Sequence, residues 1–524
     1  MRLRPVVALI TLAFLGGSAI AADFTLTVLH NNDVHARVEP AKVRNTEYGG
    51  YARLATLVRR LRATEPNPIL LSAGDVFQGT LYFNVYEGLA DLAAMNAIGF
   101  QAMTVGNHEF DRGAKTLAEF ARRAMFPLLA ANLDVSGDAS LKDLVRPSVI
   151  MIVGGQRIGI VGAITPELFS ISSPGETIRL KPLVESIQGA VDDLTKQGVN
   201  KVILVTHIGY DDDLKLAPAL QNVDAIIGGH SHTPLGNSAG PNLPVGRGPY
   251  PTVVKDRTGQ DVPIVQAYQW GMQLGRLKLT FDEQGRVKKF EGMPIAVGSD
   301  ILPDPAVEAL IAAFAKPITA VGNQPVGDTK LGLAGERNPL LPERTIGNVI
   351  ADAQVTELAG QGAVAAFMNE GGVRAPIEAG PITYGEALTV QPFTNTLVLM
   401  DLNGAQIKTM LEWGARGIPE YSGGLLHVSK GTQYTIDAAR PVGDRVIEIM
   451  VANAPLDLTK TYRVVVNSFL STGGDGHEVT KTSTGYRYDT GIVDVDALVN
   501  FLKANVPLDR QLEGRIKVIN TATK

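Results

Sequence analysis

The sequence contains no cysteine. Disulfides, thiolate zinc sites, iron–sulfur clusters and cysteine nucleophiles are therefore excluded, and a metal centre here has to be built from His, Asp, Glu and Asn. Excess positive charge is also missing: 48 Lys and Arg stand against 53 Asp and Glu, a net of −5. No global basic field attracts a nucleic-acid polymer or an anionic membrane, so any anion must be held by local groups. Aromatic residues make up only 6% of the chain, and the repeats of coiled coil and collagen are lacking. What the chain does have is apolar material, 45% of 524 residues. That is enough for ordinary cores and, at roughly 100–200 residues per domain, for two or three domains.

A long hydrophobic run occurs only at the N-terminus. Arg2 and Arg4 precede apolar residues 6–15, and Ala19, Ile20 and Ala21 supply an A-x-A cleavage site, so residues 1–21 read as a secretory signal peptide. The run is short for a ~20-residue bilayer span, which argues against an uncleaved anchor. Without Arg2 and Arg4 the chain carries 46 basic and 53 acidic residues, a net of −7. No later segment reads as a transmembrane span, and residues 521–524 carry no lipidation or sorting signal. The expected product is a soluble, exported monomer without a membrane anchor, periplasmic or secreted.

Short apolar runs at 25–29, 69–71, 102–105, 157–161, 202–205 and 225–227 alternate with amphipathic stretches at 50–64, 87–98, 116–124 and 183–196, the pattern of an α/β domain. Residues 236–263, rich in Gly and Pro, read as a long loop or an irregular hairpin. Strand candidates follow at 273–281 and 286–294. Val307, Leu310, Ile311 and Phe314 then recur at helical spacing within 305–320. Further strand candidates lie at 363–368, 397–402 and 462–466. The implied division is a signal at 1–21, a first domain at 22–302, a linker helix at 303–321 and a second domain at 322–520.

Polar residues able to bind metal follow these strand candidates. Asp33 and His35 lie in NNDVHA (31–36), Asp75 in SAGDVFQGT (72–80), and Asn107, His108 and Asp111 in GNHEFD (106–111). His207 lies in VTHIGYDDD (205–213), and His230 and His232 in GGHSHT (228–233). Open α/β sheets place ligand sites at the carboxyl ends of their strands, so five loops can meet in one crevice. Five of the eight histidines fall within these motifs. Imidazole, carboxylate and amide without sulfur suit zinc, manganese, cobalt or iron(II) better than calcium or copper(I). Seven ligands exceed one tetrahedral ion, and one Asp can bridge two cations, so a two-metal site for phosphoester hydrolysis is the economical reading. His108 need not be a ligand, because Asp111 stands three residues on and can orient it for transition-state work. His30 ends the first strand outside these positions and reads as structural.

The set DVH, GD, GNHEFD, TH and GHSHT resembles the calcineurin-like metallophosphoesterases, and its order and spacing are similar to the secreted 5′-nucleotidase and UDP-sugar hydrolase family. The resemblance implies a four-layer αββα sandwich followed by a smaller α/β substrate-binding domain. It further implies one metal on Asp33, His35, Asp75 and His232, a second on Asp75, Asn107, His207 and His230, and a catalytic dyad of His108 and Asp111. The two ions would be zinc, manganese or cobalt.

After residue 321, NEGGVR (369–374) offers two glycines for close backbone approach and Arg374 for phosphate oxygens. Asn348 in TIGNVIADA (345–353) reads as a helix cap. Phe393 in QPFTNT and Phe469 in NSFLSTGGDGH lie in turn-rich loops, where two rings can sandwich a planar base. The resemblance makes these two the base-stacking rings and makes Asn369, Arg374 and Asp475 substrate-binding residues. It also implies an arginine three residues before Glu343, where this chain has Leu340; Arg337 and Arg344 are the candidates to replace it. Arg37 reads equally as a substrate contact or a solvated side chain.

The leading expectation is an exported dinuclear-metal hydrolase that releases phosphate from nucleoside 5′-monophosphates. Cleavage of nucleotide di- or triphosphates or UDP-sugars is a further expected activity. The alternatives are a 2′,3′-cyclic nucleotide phosphodiesterase, a thiosulfohydrolase of sulfur oxidation, and a non-catalytic nucleotide-binding surface protein. With metals on one domain and base-binding rings on the other, domain closure would gate turnover.

Overall fold

The computed structural model describes residues 23–43, 45–335 and 337–521. The signal peptide read at 1–21 lies outside the described residues. Each of the first apolar runs is a strand: Phe24–Asn31, Pro68–Ser72, Ala102–Thr104, Gln156–Ile164, Val202–His207 and Ala225–Ile227. The first three lie side by side and parallel, as do the last three, because the helices between them return the chain to the same end of the sheet.

The two sets belong to a seven-stranded and a six-stranded sheet. Strand periodicity then sorts their apolar residues into layers. Val28, Leu71 and Ile203 meet between the sheets. On the other face of the seven-stranded sheet, Leu29, Leu70 and Met103 meet helices Tyr51–Thr64, Leu89–Ile98 and Gly113–Arg123. On the far side, Val161, Leu204 and Ile226 face helix Leu183–Lys196. The product is a helix–sheet–sheet–helix sandwich whose central strands are buried on both faces, which is why they read as continuous apolar runs. The Gly- and Pro-rich segment contains a hairpin, Thr252–Lys255 against Asp261–Val265, at the edge of the six-stranded sheet.

Helix Pro305–Gly322 starts at Asp304, whose side chain accepts from the amides of Ala306 and Val307. By length and composition alone it could cross a membrane, yet Val307, Ile311 and Ile318 pack into the helical layer of the sandwich. Beyond it, strand Ala365–Asn369 lies in a five-stranded sheet with Leu426–Val428, Thr461–Asn467, Thr396–Asn403 and Arg487–Val493. Helix Thr345–Glu357 covers one face through Ala351, which meets Ala366 and Val465. Helix Gly404–Ala415 covers the other, with Ile407 and Met410 against Phe367 and Val464. Asn348 lies inside helix Thr345–Glu357 rather than capping it, and its amide donates to Glu343 Oε1 at 2.7 Å.

Candidate active site

The carboxyl ends of both sheets of the sandwich share one rim. Asp33, Asp75 and Asn107 follow strands of the seven-stranded sheet, His207 ends a strand of the six-stranded sheet, and His230 and His232 follow its neighbour. Four of these residues, and His35 beside them, have left-handed backbone: Asp33 and His35 at φ 52°, Asp75 at 53°, His230 at 77° and His232 at 51°. Such conformations cost energy for side-chain-bearing residues and cluster at functional sites. Here they turn the side chains inward from the strand ends. The turn is tight enough that a Cβ on Gly106 would stand 2.3 Å from Asp75 Oδ1.

The donor atoms converge. His207 Nε2 lies 3.0 Å and His35 Nε2 3.8 Å from Asp75 Oδ2, while His232 Nε2 lies 3.4 Å and His207 Nε2 4.0 Å from Asp33 Oδ1. Three groups each bring their ligand atoms within 4.8 Å of one another: Asp33, His35 and His232; Asp75, His207 and His230; His35, Asp75 and His108. The histidines are oriented from behind. Nδ1 of His35 is 3.0 Å from the Phe77 carbonyl, that of His207 is 2.6 Å from the Ala73 carbonyl, and that of His232 is 2.6 Å from Gln269 Oε1. Each Nδ1 therefore donates, and each Nε2 is turned into the cluster; for His207, burial is outweighed by the Asp75 carboxylate beside Nε2, which raises the imidazole to about 10. The Nε2 atoms of His35 and His232 stand 3.0 Å apart, a repulsive contact of two lone pairs that a cation between them relieves. Asn107 Oδ1 is buried without a hydrogen-bond partner. Burial, with His207 next to it, draws the His230 imidazole down to about 4, so it is a neutral donor. This donor set fits divalent metal ions.

His108 stands beside the cluster, its Nε2 3.9 Å from Asp75 Oδ2 and its Nδ1 2.6 Å from Asp111 Oδ2. Burial alone would lower its pKa, but the carboxylates of Asp111 and Asp75 outweigh that and hold it above the ordinary histidine value. Ser172 donates to the other Asp111 oxygen at 2.8 Å. His30 sits apart, sharing a 2.7 Å hydrogen bond with the Tyr250 hydroxyl, and burial keeps it neutral by lowering its pKa to about 3.

The second domain reaches this rim. Arg374 Nη2 is 3.5 Å from His35 Nε2, and its guanidinium lies 5.5 Å from the Phe393 ring centre. Phe393 stacks on His108 with centroids 5.6 Å apart. Asn369 donates to Asp475 Oδ2 at 2.7 Å and accepts from Asn467 at 2.9 Å. Burial pushes the Asp475 carboxyl up to about 6. Phe469 lies against Gly474, in the loop that also carries Asp475. Arg337 and Arg344 both pair with Glu370, at 3.2 and 3.3 Å. Arg344 also donates to the carbonyls of Gly335 and Val373, each at 3.0 Å, and is 4% exposed. Its two terminal nitrogens are thus bonded inside the domain. Leu340 is exposed on the loop. Arg37 is not solvated freely; its guanidinium lies 4.2 Å from the Trp270 ring centre.

Several supporting residues carry no metal-binding signature in the sequence. Glu109 accepts from the amides of Asp75, Val76, Phe77 and Gly106 and so ties two of the loops together. Asn32 donates to Asp33 Oδ2 at 2.6 Å and accepts from the Ala267 amide at 2.7 Å. Glu109 and Asn32 stand inside the motifs themselves; Gln269 lies far from them in sequence and has no such marker.

Residues 26–234 match the family model of the calcineurin-like phosphoesterases, and residues 325–482 match that of the 5′-nucleotidase C-terminal domain. The 5′-nucleotidase of Diplobatis ommata is 36% identical over 96% of this chain and 92% of its own length. The snake venom 5′-nucleotidase of Naja atra is 34% identical, over 94% and 98% respectively. The solved structure of a 5′-nucleotidase precursor from Thermus thermophilus matches with a TM-score of 0.92 at 43% identity, covering 95% of this chain and 100% of that one. Since the likeness runs through both domains and nearly the full length of these relatives, the chain belongs to the 5′-nucleotidase family, with a calcineurin-like phosphoesterase domain followed by a 5′-nucleotidase C-terminal domain.

Proposed function

We propose that this chain is an exported hydrolase that releases phosphate from nucleoside 5′-monophosphates and works in the periplasm. The observation that carries the reading is the meeting of the two domains: Arg374 and Phe393 of the second stand against His35 and His108 of the first. A metal cluster and a phosphate-seeking guanidinium next to an aromatic face suit a phosphorylated planar base. Asp33, His35, Asp75 and His232 would hold one divalent ion, and Asp75, Asn107, His207 and His230 a second. When bound, such ions neutralise phosphoryl charge and acidify water.

The protein groups divide the remaining work. Arg374 binds phosphate oxygens beside His35. His108, kept in its proton-bearing form by Asp111, donates to the charge that develops on the leaving oxygen. Asp475 and Asn369 bind the ribose or base, and Phe393 and Phe469 flank the base. Arg337, a third exposed where Arg344 is buried, takes the place of the arginine absent at Leu340. Residues 22–302 act as the hydrolytic unit and 322–520 as the substrate-binding unit. Phosphate release from a panel of AMP, UMP, ADP, UDP-glucose, 2′,3′-cyclic AMP and thiosulfate, on protein loaded with zinc, manganese or cobalt, tests the reading. Preference for the 5′-monophosphates is expected; turnover confined to the cyclic nucleotide or to thiosulfate, or none at all, would overturn it.

A further inference from the structure

NEGGVR carries a buried acid that the proposed reaction does not use. Glu370, 4% exposed, follows strand Ala365–Asn369 and is fixed in the backbone by its amide, which donates to the Leu425 carbonyl at 2.7 Å. Its carboxylate is a hub. Oε2 lies 2.6 Å from His427 Nε2 and 3.3 Å from Arg344 Nε, and Oε1 lies 3.2 Å from Arg337 Nε. Of the two arginines, Arg344 is the buried one, with Nη1 and Nη2 donating to the Gly335 and Val373 carbonyls. Arg337 is held on three sides and remains a third exposed. Glu370 Oε1 pairs with its Nε as an ion pair rather than a hydrogen bond, the Val373 carbonyl accepts from Nη2 at 3.3 Å, and the Tyr421 ring lies beneath it with its centre 5.0 Å from Cζ. Val373 is the residue next to Arg374, so both guanidinium groups are referenced to one stretch of backbone.

We infer that Glu370 is a positioning residue: anchored by His427, it fixes Arg337 against the backbone that carries Arg374, so that Arg337 supplies the cationic contact that this chain lacks at Leu340. The inference rests on the nucleotide-hydrolase reading above. An unpinned arginine would lose the freedom of a long side chain each time substrate bound, and the buried carboxylate removes that freedom beforehand. A buried acid paired with two arginines and a histidine is otherwise a poor source of stability, since desolvation offsets most of the attraction. Arg337 touches substrate in this account rather than the reacting atoms, so losing its alignment weakens binding and spares chemistry.

The test is a double-mutant cycle on the full-length, metal-loaded enzyme with AMP as substrate. Wild-type turnover of AMP checks the underlying reading, and the ratios among variants check the inference separately. Glu370→Gln is expected to raise KM about tenfold with kcat within about twofold. Arg337→Ala should raise KM at least as much, and adding Glu370→Gln to it should change KM no further. If Glu370→Gln fails to fold because Arg344 is left facing an uncharged group, Glu370→Asp replaces it, keeping the charge but withdrawing it by one methylene. The same loss of effect in the Arg337→Ala background is then expected. An unchanged KM, or a rise of equal size with and without Arg337, would overturn the inference.

Discussion

His108 carries the sharpest prediction at the scale of single residues. It lies beside the metal-ligand cluster and is held by Asp111 at 2.6 Å. His108→Asn should therefore leave metal content unchanged and lower kcat by roughly 10²–10⁴, the usual worth of a positioned acid or base. Metal analysis beside a rate measurement checks this, and an unchanged kcat removes His108 from the reaction. Asp475 tests the proposed substrate recognition apart from chemistry in the same way. Joined to Asn369 at 2.7 Å in the second domain, it should matter only to substrates that carry a nucleoside. Asp475→Ala is expected to raise KM for AMP about tenfold, the scale of a lost charged hydrogen bond, and to leave p-nitrophenyl phosphate hydrolysis within about twofold. Equal losses on both substrates would contradict a role in nucleoside recognition.

For whole elements, legibility follows burial. Strands such as Val202–His207 and Ala225–Ile227 are buried throughout, so their apolar runs are plain, and the Gly, Asn or Asp after each marks where the ligands stand. The hairpin Thr252–Lys255 and Asp261–Val265 is blurred because its edge strand alternates in burial and its partner contains Pro263. In the second domain, the strands Gln433–Asp437 and Val446–Val451 give no clear signal in the sequence; they are short, and several of their residues are only partly buried. The seven metal-binding candidates are legible as residue types at strand ends. Their left-handed turns are not, nor is the support from Glu109 and Gln269, because these depend on contacts between distant loops.

One helix also carries a pH prediction. Asp494, 1% exposed, begins helix Asp494–Ala504, and burial pushes its carboxyl from 3.8 up to about 8. The folded chain thus keeps a proton that the unfolded chain releases. The resulting stabilisation is complete at pH values below about 3.8, fades as pH rises, and is lost above about 8. Asp494→Asn cannot ionise, so relative to wild type it should gain stability as pH rises from 5 to 8, by roughly 2 kcal/mol or more. Thermal unfolding of both proteins across that range checks it; parallel curves would show that Asp494 does not titrate as described.

Across the whole molecule, the two domains are closed on each other. Asn84 of the first donates to the Pro392 carbonyl of the second at 3.4 Å, and Phe393 next to it covers His108. On the proposed reading, a nucleotide enters between them only when the domains part, and Phe393 with its proposed partner Phe469 would then return for reaction. Because the chain has no cysteine of its own, a cysteine pair at Asn84 and Pro392 gives a clean lock. Turnover should fall at least tenfold on oxidation and recover on reduction; equal rates in both states would rule out gating by domain motion.

The account stands or falls on five loops from two sheets meeting at Asp75, whose Oδ2 faces His207, His35 and His108. Metal content of wild type and Asp75→Asn, measured with phosphate release from AMP on the same samples, tests this most directly. Wild type should hold about two divalent ions per chain and lose its activity to a chelator, while Asp75→Asn should lose both ions and the activity together. Undiminished phosphate release from an Asp75→Asn protein, or from wild type stripped of metal, would contradict it.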